Sequence, residues 1–251
     1  MASPLTHRYD GRVTTRDTVF GGRLVLEQPA GSAYRVNHDS LILAAFAVGE
    51  RPVARAFDLG AGVGPVGHAL LFWNATERVT FLDIEPAVLS LALRNGDHNG
   101  WRDRIDALAG DVLDSALTQQ GVSDLVVCNP PYTEPDTGRP PGNESLARSR
   151  TGDIERFVQA ARQVAGKSSR VCFIYPAASL TTLLVACRGQ GLEPKRLRFV
   201  HAREGDPARV VLLELKPARP GGLMVLAPLV EWTTRDQRCE ELSRLLDRGE
   251  R

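Results

Sequence analysis

Alternation of apolar and polar positions opens the chain. The runs 12–20 and 23–28 flank Gly21-Gly22 and predict a β-hairpin, closed by a Pro29-Ala30-Gly31 turn. A helix is expected over 41–48, with Asn37 or Asp39 placed to cap it. From residue 53 the pattern changes. Near-continuous apolar runs at 53–59, 79–84, 105–109, 124–129, 171–175, 194–201 and 210–216 read as buried strands. Helical stretches lie between them at 65–73, 86–99, 112–120, 151–165 and 177–190. Buried strands alternating with helices predict a mostly parallel sheet covered on both faces. The last two strands are joined only by residues 202–208, too short for a helical crossover, so that pair should be antiparallel. An apolar stretch at 223–226 and a final helix at 234–248 complete the pattern. We divide the chain into an N-terminal extension, 1–50, and one α/β domain, 51–251. There is no internal repeat.

The 251 residues suffice for a sizeable core, and 43% hydrophobic with 24% charged residues is ordinary for a globular protein. The net charge of +1 excludes a polycationic nucleic-acid packager but not a local basic face. The longest apolar run, 41–48, is far short of a membrane span, and residues 1–10 have no signal-peptide pattern. A soluble cytoplasmic protein is expected. Cys128, Cys172, Cys187 and Cys239 form no metal-ligand spacing, so neither zinc nor a disulfide framework is expected; they read as small buried hydrophobes.

Candidate chemistry begins where the first buried strand runs into Asp58-Leu59-Gly60-Ala61-Gly62-Val63-Gly64. Glycines at this spacing let the backbone turn tightly and approach a ligand. Gly62, Gly64 and Gly67 also satisfy a dinucleotide fingerprint, so a nicotinamide-dependent dehydrogenase is one reading. Asp58 opposes it, because a carboxylate there would repel a pyrophosphate. It would favour a cationic ligand such as S-adenosylmethionine, which carries a sulfonium and no phosphate. Asp83 ends the second strand, where an acid can accept ribose hydroxyls, with Glu85 as a competitor. Asp111 follows the third strand and could meet an adenine amino group. Ile84 and Val112, beside these acids, join the expected cofactor-binding positions with Leu59 and Ala61. Three acids after three successive strands would line one crevice at the strand C-termini.

The fourth strand leads into Asn129-Pro130-Pro131-Tyr132. An exocyclic amine conjugated to a ring or carbonyl is a poor nucleophile. The Asn129 side-chain oxygen can accept one of its N–H bonds, and the Pro130 carbonyl, held by stiff prolines, the other. Two acceptors favour a pyramidal amine with its lone pair aimed at a methyl group. Tyr132 offers a stacking face for a base. Catalysis would then be orientation and charge complementarity rather than strong general-base action. After Tyr132 comes a Pro/Gly-rich loop, 133–143, long enough to suggest a functional role.

With these letters in order, the chain resembles the class I S-adenosylmethionine-dependent methyltransferases, and Asn-Pro-Pro-Tyr marks their amine-directed branch. That branch includes adenine-N6 enzymes, rRNA guanine-amine enzymes and release-factor glutamine enzymes. The lead-in Leu26-Glu27-Gln28-Pro29, Tyr34-Arg35-Val36 and Asp39-Ser40-Leu41-Ile42-Leu43 is similar to the start of the bacterial tRNA1(Val) adenine-N6 methyltransferase family. The stretches 200–203 and 207–213 resemble that family's late antiparallel strands. The resemblance implies a Rossmann-like, seven-stranded, mostly parallel sheet with an antiparallel last strand. It implies S-adenosylmethionine as cofactor, no metal, and adenine N6 in RNA, most simply tRNA, as the methyl acceptor. Guanine or a protein glutamine stays open as an alternative. It also places Asp39 near the cofactor pocket. Arg139, Arg148, Arg150, His201, Arg203 and Arg209 are candidates for phosphate contacts.

Overall fold

The computed structural model describes residues 7–9, 12–30, 38–114, 122–131, 154–217 and 220–251. Strands β1 (His7–Tyr9), β2 (Arg12–Val19) and β3 (Leu24–Pro29) form an antiparallel meander, one strand more than the expected hairpin. Helix α1 (His38–Ala47) follows. Asp39 lies inside its first turn and is therefore not its cap; Asn37 lies outside the described residues.

The main sheet is built from β4 (Val53–Leu59), β5 (Thr76–Asp83), β6 (Ile105–Ala109), β7 (Ser123–Cys128), β8 (Ala165–Pro176), β9 (Glu193–Arg203) and β10 (Ala208–Lys216). These are the seven expected strands. Their spatial order is β9-β10-β8-β7-β4-β5-β6, with β10 antiparallel to both its neighbours and the remaining pairs parallel. Two short strands, β11 (Met224–Val225) and β12 (Leu229–Trp232), pair parallel with β9 and bring the sheet to nine among the described residues. The expected seven-stranded sheet is thus extended at one edge; four-residue and shorter strands carry too little periodicity to be read from sequence.

Helices α2 (Pro65–Phe72), α3 (Pro86–His98), α4 (Ile154–Val164) and α5 (Leu180–Gly189) connect the strands, and α6 (Glu240–Arg248) closes the chain. The helix expected from residue 234 starts six residues later. Trp232 bridges back to Arg238, and the Cys239 thiol accepts the Leu242 N–H to cap α6 at 3.3 Å. Most of the helix expected at 112–120 lies outside the described residues; 112–114 belong to a turn.

Strand alternation divides the core in two. Ala56, Leu125, Val127, Cys172, Ile174 and Leu212 face one layer, with Leu41, Leu70, Leu89 and Leu242 of α1, α2, α3 and α6. Phe57, Leu59, Val126, Cys128, Phe173 and Leu213 face the other, with Val158 and Leu183 of α4 and α5. Phe20, Leu24 and Leu26 of the meander belong to the first cluster, so the extension and the sheet share one core. All four cysteines are free. Burial pushes the thiols of Cys172 and Cys187 up to about 12 and that of Cys128 well up, so they serve as apolar filling.

Asn95 fastens the meander to α3. Its Oδ1 accepts the Glu27 N–H at 2.6 Å, and its Nδ2 donates to the carbonyls of Glu27 and Val63, both at 3.1 Å. Asn99, one turn on, does the same for Val25. Two amides spaced four apart on one helix face thus substitute for a neighbouring strand, and Asn95 also reaches the glycine turn. The buried Glu27 carboxylate gathers Thr14, Arg94 and His98, which hold it below the ordinary range against the burial that raises it.

Candidate active site

The crevice lies at the carboxyl ends of the parallel strands, and strand register aligns its residues. Leu59 pairs with Leu82 on one side and Cys128 on the other, and Asp83 pairs with Ala109. Gly60, Asp83, Asp111 and Asn129 therefore emerge along one edge of the sheet.

The turn after β4 is set by backbone conformation. Gly60, Gly62 and Gly64 have φ of +69, +57 and +81°, a region that L side chains rarely adopt. The N–H groups of Gly60 and Ala61 donate to the Leu82 carbonyl at 2.9 and 3.0 Å, which pins the turn to β5. Gly67 has a different reason. A Cβ there would stand 2.3 Å from Phe81 Cε1 and 2.8 Å from Val79 Cγ1, so glycine lets α2 press against β5.

Two carboxylates sit beneath this turn. Asp58 is 1% exposed and accepts the Gly67 N–H at 3.0 Å. Burial pushes its carboxyl up to about 7, against the Gly67 bond and with help from the charge of Asp83. Asp83 is 6% exposed; Oδ2 accepts the Gly62 N–H at 2.8 Å and Oδ1 the Glu85 N–H at 3.0 Å. Burial raises it as well, opposed by those two bonds. The arrangement disfavours a pyrophosphate: Gly62 spends its N–H on Asp83, and two acids stand directly behind the loop. It fits a cation above the loop, with Asp58 acting through space rather than by contact.

Other cofactor-binding expectations divide by exposure. Ile84 is 55% exposed at the end of β5 and offers an apolar surface to the crevice. Leu59 is fully buried and Ala61 nearly so; the Leu59 side chain belongs to the core, and only its backbone borders the turn. Val112 packs against the second core cluster. The Asp111 carboxylate accepts the Leu113 N–H at 2.9 Å and both of its oxygens are held by Arg156 of α4, at 2.7 and 2.6 Å. The Leu113 bond and Arg156 hold it below the ordinary carboxylate range against a smaller opposing effect of burial. Next to Arg156, Phe157 lies over Gly60, 3.2 Å from where a Cβ would stand. Arg156 and Phe157 were not anticipated; a lone Arg-Phe in an amphipathic helix carries no sequence signal.

Asn129 is half-buried just beyond β7, and its Nδ2 donates to Ser40 Oγ of α1 at 3.1 Å. Pro130 is buried and Pro131 half-buried. Tyr132, Arg139, Arg148 and Arg150 lie outside the described residues.

His201 and Arg203 end β9, and Val210 at the start of β10 pairs with Pro176 at the end of β8. The β9–β10 turn thus rises at the crevice edge, three strands from β7, roughly 14 Å across the sheet. His201 shares a 2.7 Å bond between Nδ1 and the Asp206 carbonyl, and Arg203 is exposed. Arg209, expected as a phosphate contact, is committed elsewhere. Its guanidinium donates to both oxygens of Asp39 at 2.9 and 2.6 Å and to Glu231 at 2.9 Å. Asp39 is 5% and Glu231 6% exposed, so Arg209 neutralises two buried acids. That also revises Asp39: its carboxylate braces α1 against β10 and β12. No group of three or more His, Cys, Asp or Glu able to hold a metal occurs among the described residues.

Residues 32–142 match the family model of the methyltransferase small domain. The small domain's match spans α1, the glycine turn, the three acids and Asn129. A Porphyromonas gingivalis relative described as a tRNA1(Val) (adenine(37)-N6)-methyltransferase is 29% identical over 196 residues, covering 75% of this chain and 76% of that one. One of the same description from Pectobacterium carotovorum is 25% identical over 213 residues, covering 84% and 86%. The crystal structure of an Agrobacterium tumefaciens protein described as a predicted O-methyltransferase superposes with a TM-score of 0.67 at 23% identity, covering 84% of this chain and 96% of that one. This likeness concerns the fold alone; the acceptor atom is a matter for the site.

Proposed function

We propose that the chain transfers a methyl group from S-adenosylmethionine to the N6 amine of an adenine in RNA, most simply a tRNA. The observation that carries this reading is the position of Asn129 and Pro130 at the crevice edge, one residue past the register that aligns β7 with the glycine turn. The two relatives, alike over three quarters or more of this chain and named for this reaction, support the substrate class. A cytoplasmic location follows from a tRNA substrate. No helix among the described residues is long and apolar enough to cross a membrane.

The residues present fit S-adenosylmethionine, which supplies an electrophilic methyl group whose bonding pair returns to sulfur. The glycine turn would take its amino acid moiety, Asp83 and Glu85 are the acids nearest a ribose, and Ile84 would face the adenine ring. Asp58 balances positive charge from beneath the turn. Asn129 Oδ1 and the Pro130 carbonyl would accept the two N–H bonds of the substrate amine. The amine lone pair then points toward the methyl carbon, and the nitrogen sheds a proton to water once it becomes cationic. Reaching such a pocket requires an unstacked base, which is least costly in a loop.

Replacing Asn129 by Ala tests the assignment. Turnover should fall by at least 10²-fold, the scale of losing one oriented polar contact to a reacting group. Cofactor affinity by calorimetry should stay within about threefold of wild type. Activity surviving the change would contradict the mechanism.

A further inference from the structure

The side chain of Asn129 has two unlike ends. Only Oδ1 can accept a hydrogen bond; Nδ2 can only donate. The terminal torsion of an Asn is broad and two-fold, so an unsupported amide can present either end. With Nδ2 toward an amine, N–H would face N–H and the amine would lose an acceptor. Something in the fold has to settle the choice.

The structure assigns this task to Ser40: we propose that its hydroxyl, with its own proton directed away from Asn129, accepts the Asn129 Nδ2–H at 3.1 Å, turns Oδ1 toward the substrate amine and so makes Ser40 a positioning residue for methyl transfer. The inference rests on the reading of Asn129 given above. Ser40 is 4% exposed, so water cannot readily replace its oxygen. Its own position is over-determined. It lies in the first turn of α1, whose neighbouring Asp39 is clamped by Arg209, and Arg209 is clamped in turn by Glu231. The brace therefore runs from β12 through β10 to α1 and ends on the amide. Among the described residues, Asn129 has no other side-chain partner, which leaves Oδ1 for the ligand. This also gives Arg209 a part in the reaction that needs no contact with RNA.

Three replacements separate orientation from shape: Ser40→Ala removes the acceptor, Ser40→Cys keeps nearly the volume but accepts poorly, and Ser40→Thr keeps the hydroxyl. Rates are read in single turnover at saturating S-adenosylmethionine on the amine substrate that wild type methylates, together with cofactor affinity and unfolding temperature. Alanine and cysteine should each slow transfer about tenfold or more, with cofactor affinity and substrate KM within twofold of wild type. Threonine should keep most of the rate; if its extra methyl group lowers the unfolding temperature, the alanine and cysteine results decide. A wild-type rate in either Ser40→Ala or Ser40→Cys would overturn the inference, as would a loss that follows cofactor affinity. The wild-type arm reads the proposed function separately: a chain that methylates no amine refutes that reading before any variant is compared.

Discussion

Replacing Asp58 by Asn probes the electrostatics beneath the glycine turn. Asp58 is 1% exposed, and burial carries its carboxyl from an ordinary 3.8 to about 7. For a carboxyl raised on folding, the folded chain holds the proton more tightly than the unfolded chain. The contribution of Asp58 to stability should therefore be greatest near pH 4 and fall as the pH rises toward 7, the reverse of a salt-bridged acid. At about 1.4 kcal/mol per pH unit, the interval amounts to roughly 4 kcal/mol of stability lost by pH 8. Asn keeps an oxygen for the Gly67 N–H and carries no charge to bury. Asp58→Asn should consequently unfold at a temperature higher by about 10 °C at pH 8, at roughly 2–4 °C per kcal/mol for a chain of this size. The advantage should shrink toward pH 4. Asp83, raised in the same direction, and His68, which burial pushes down to about 4, leave residual slopes of opposite sign in both proteins, so the difference between variant and wild type reads Asp58. Binding should move oppositely. The variant should lose affinity for S-adenosylmethionine more than for S-adenosylhomocysteine, which lacks the sulfonium charge. Thermal unfolding from pH 4 to 8.5 and calorimetry with both ligands supply the readings. A variant less stable than wild type at pH 8, or equal losses for the two ligands, would refute the reasoning.

Two further outcomes follow from packing and pairing. Gly67→Ala gains about 1 kcal/mol of helix propensity but sets a methyl group 2.3 Å from Phe81 Cε1. Overpacking should prevail, with a net loss of about 2 kcal/mol in urea unfolding; a stabilised variant would show that α2 can lift freely from β5. Arg209→Ala removes the guanidinium that bridges the buried Asp39 and Glu231 and should cost about 3–5 kcal/mol, while the salt dependence of RNA binding keeps its slope. A shallower slope with unchanged stability would return Arg209 to the phosphate contacts.

The strands were legible because burial on both faces leaves unbroken apolar runs such as 125–128 and 171–174, all of whose members are buried. The glycine turn was legible because a left-handed backbone at three alternate positions leaves few choices but glycine. The acids were placed correctly along the chain but not in depth. Whether Asp58 touches a ligand or lies under the loop depends on Gly67, nine residues on, and no local pattern encodes that. Long-range pairing was wholly hidden. Arg209 and Asp39 are 170 residues apart, and Asn129 and Ser40 are 89 apart. Arg209 looked like a surface cation because its neighbours in sequence are Ala208 and Val210; its neighbours in space are two buried carboxylates. Edge strands β11 and β12 escaped because two and four residues cannot show a period.

Methyl-labelled S-adenosylmethionine, incubated with the purified chain and total bacterial RNA plus protein, tests the central claim most directly. The account predicts label that ribonuclease destroys and that digestion releases as N6-methyladenosine. Label removed by protease instead, or released on a guanine, would contradict it.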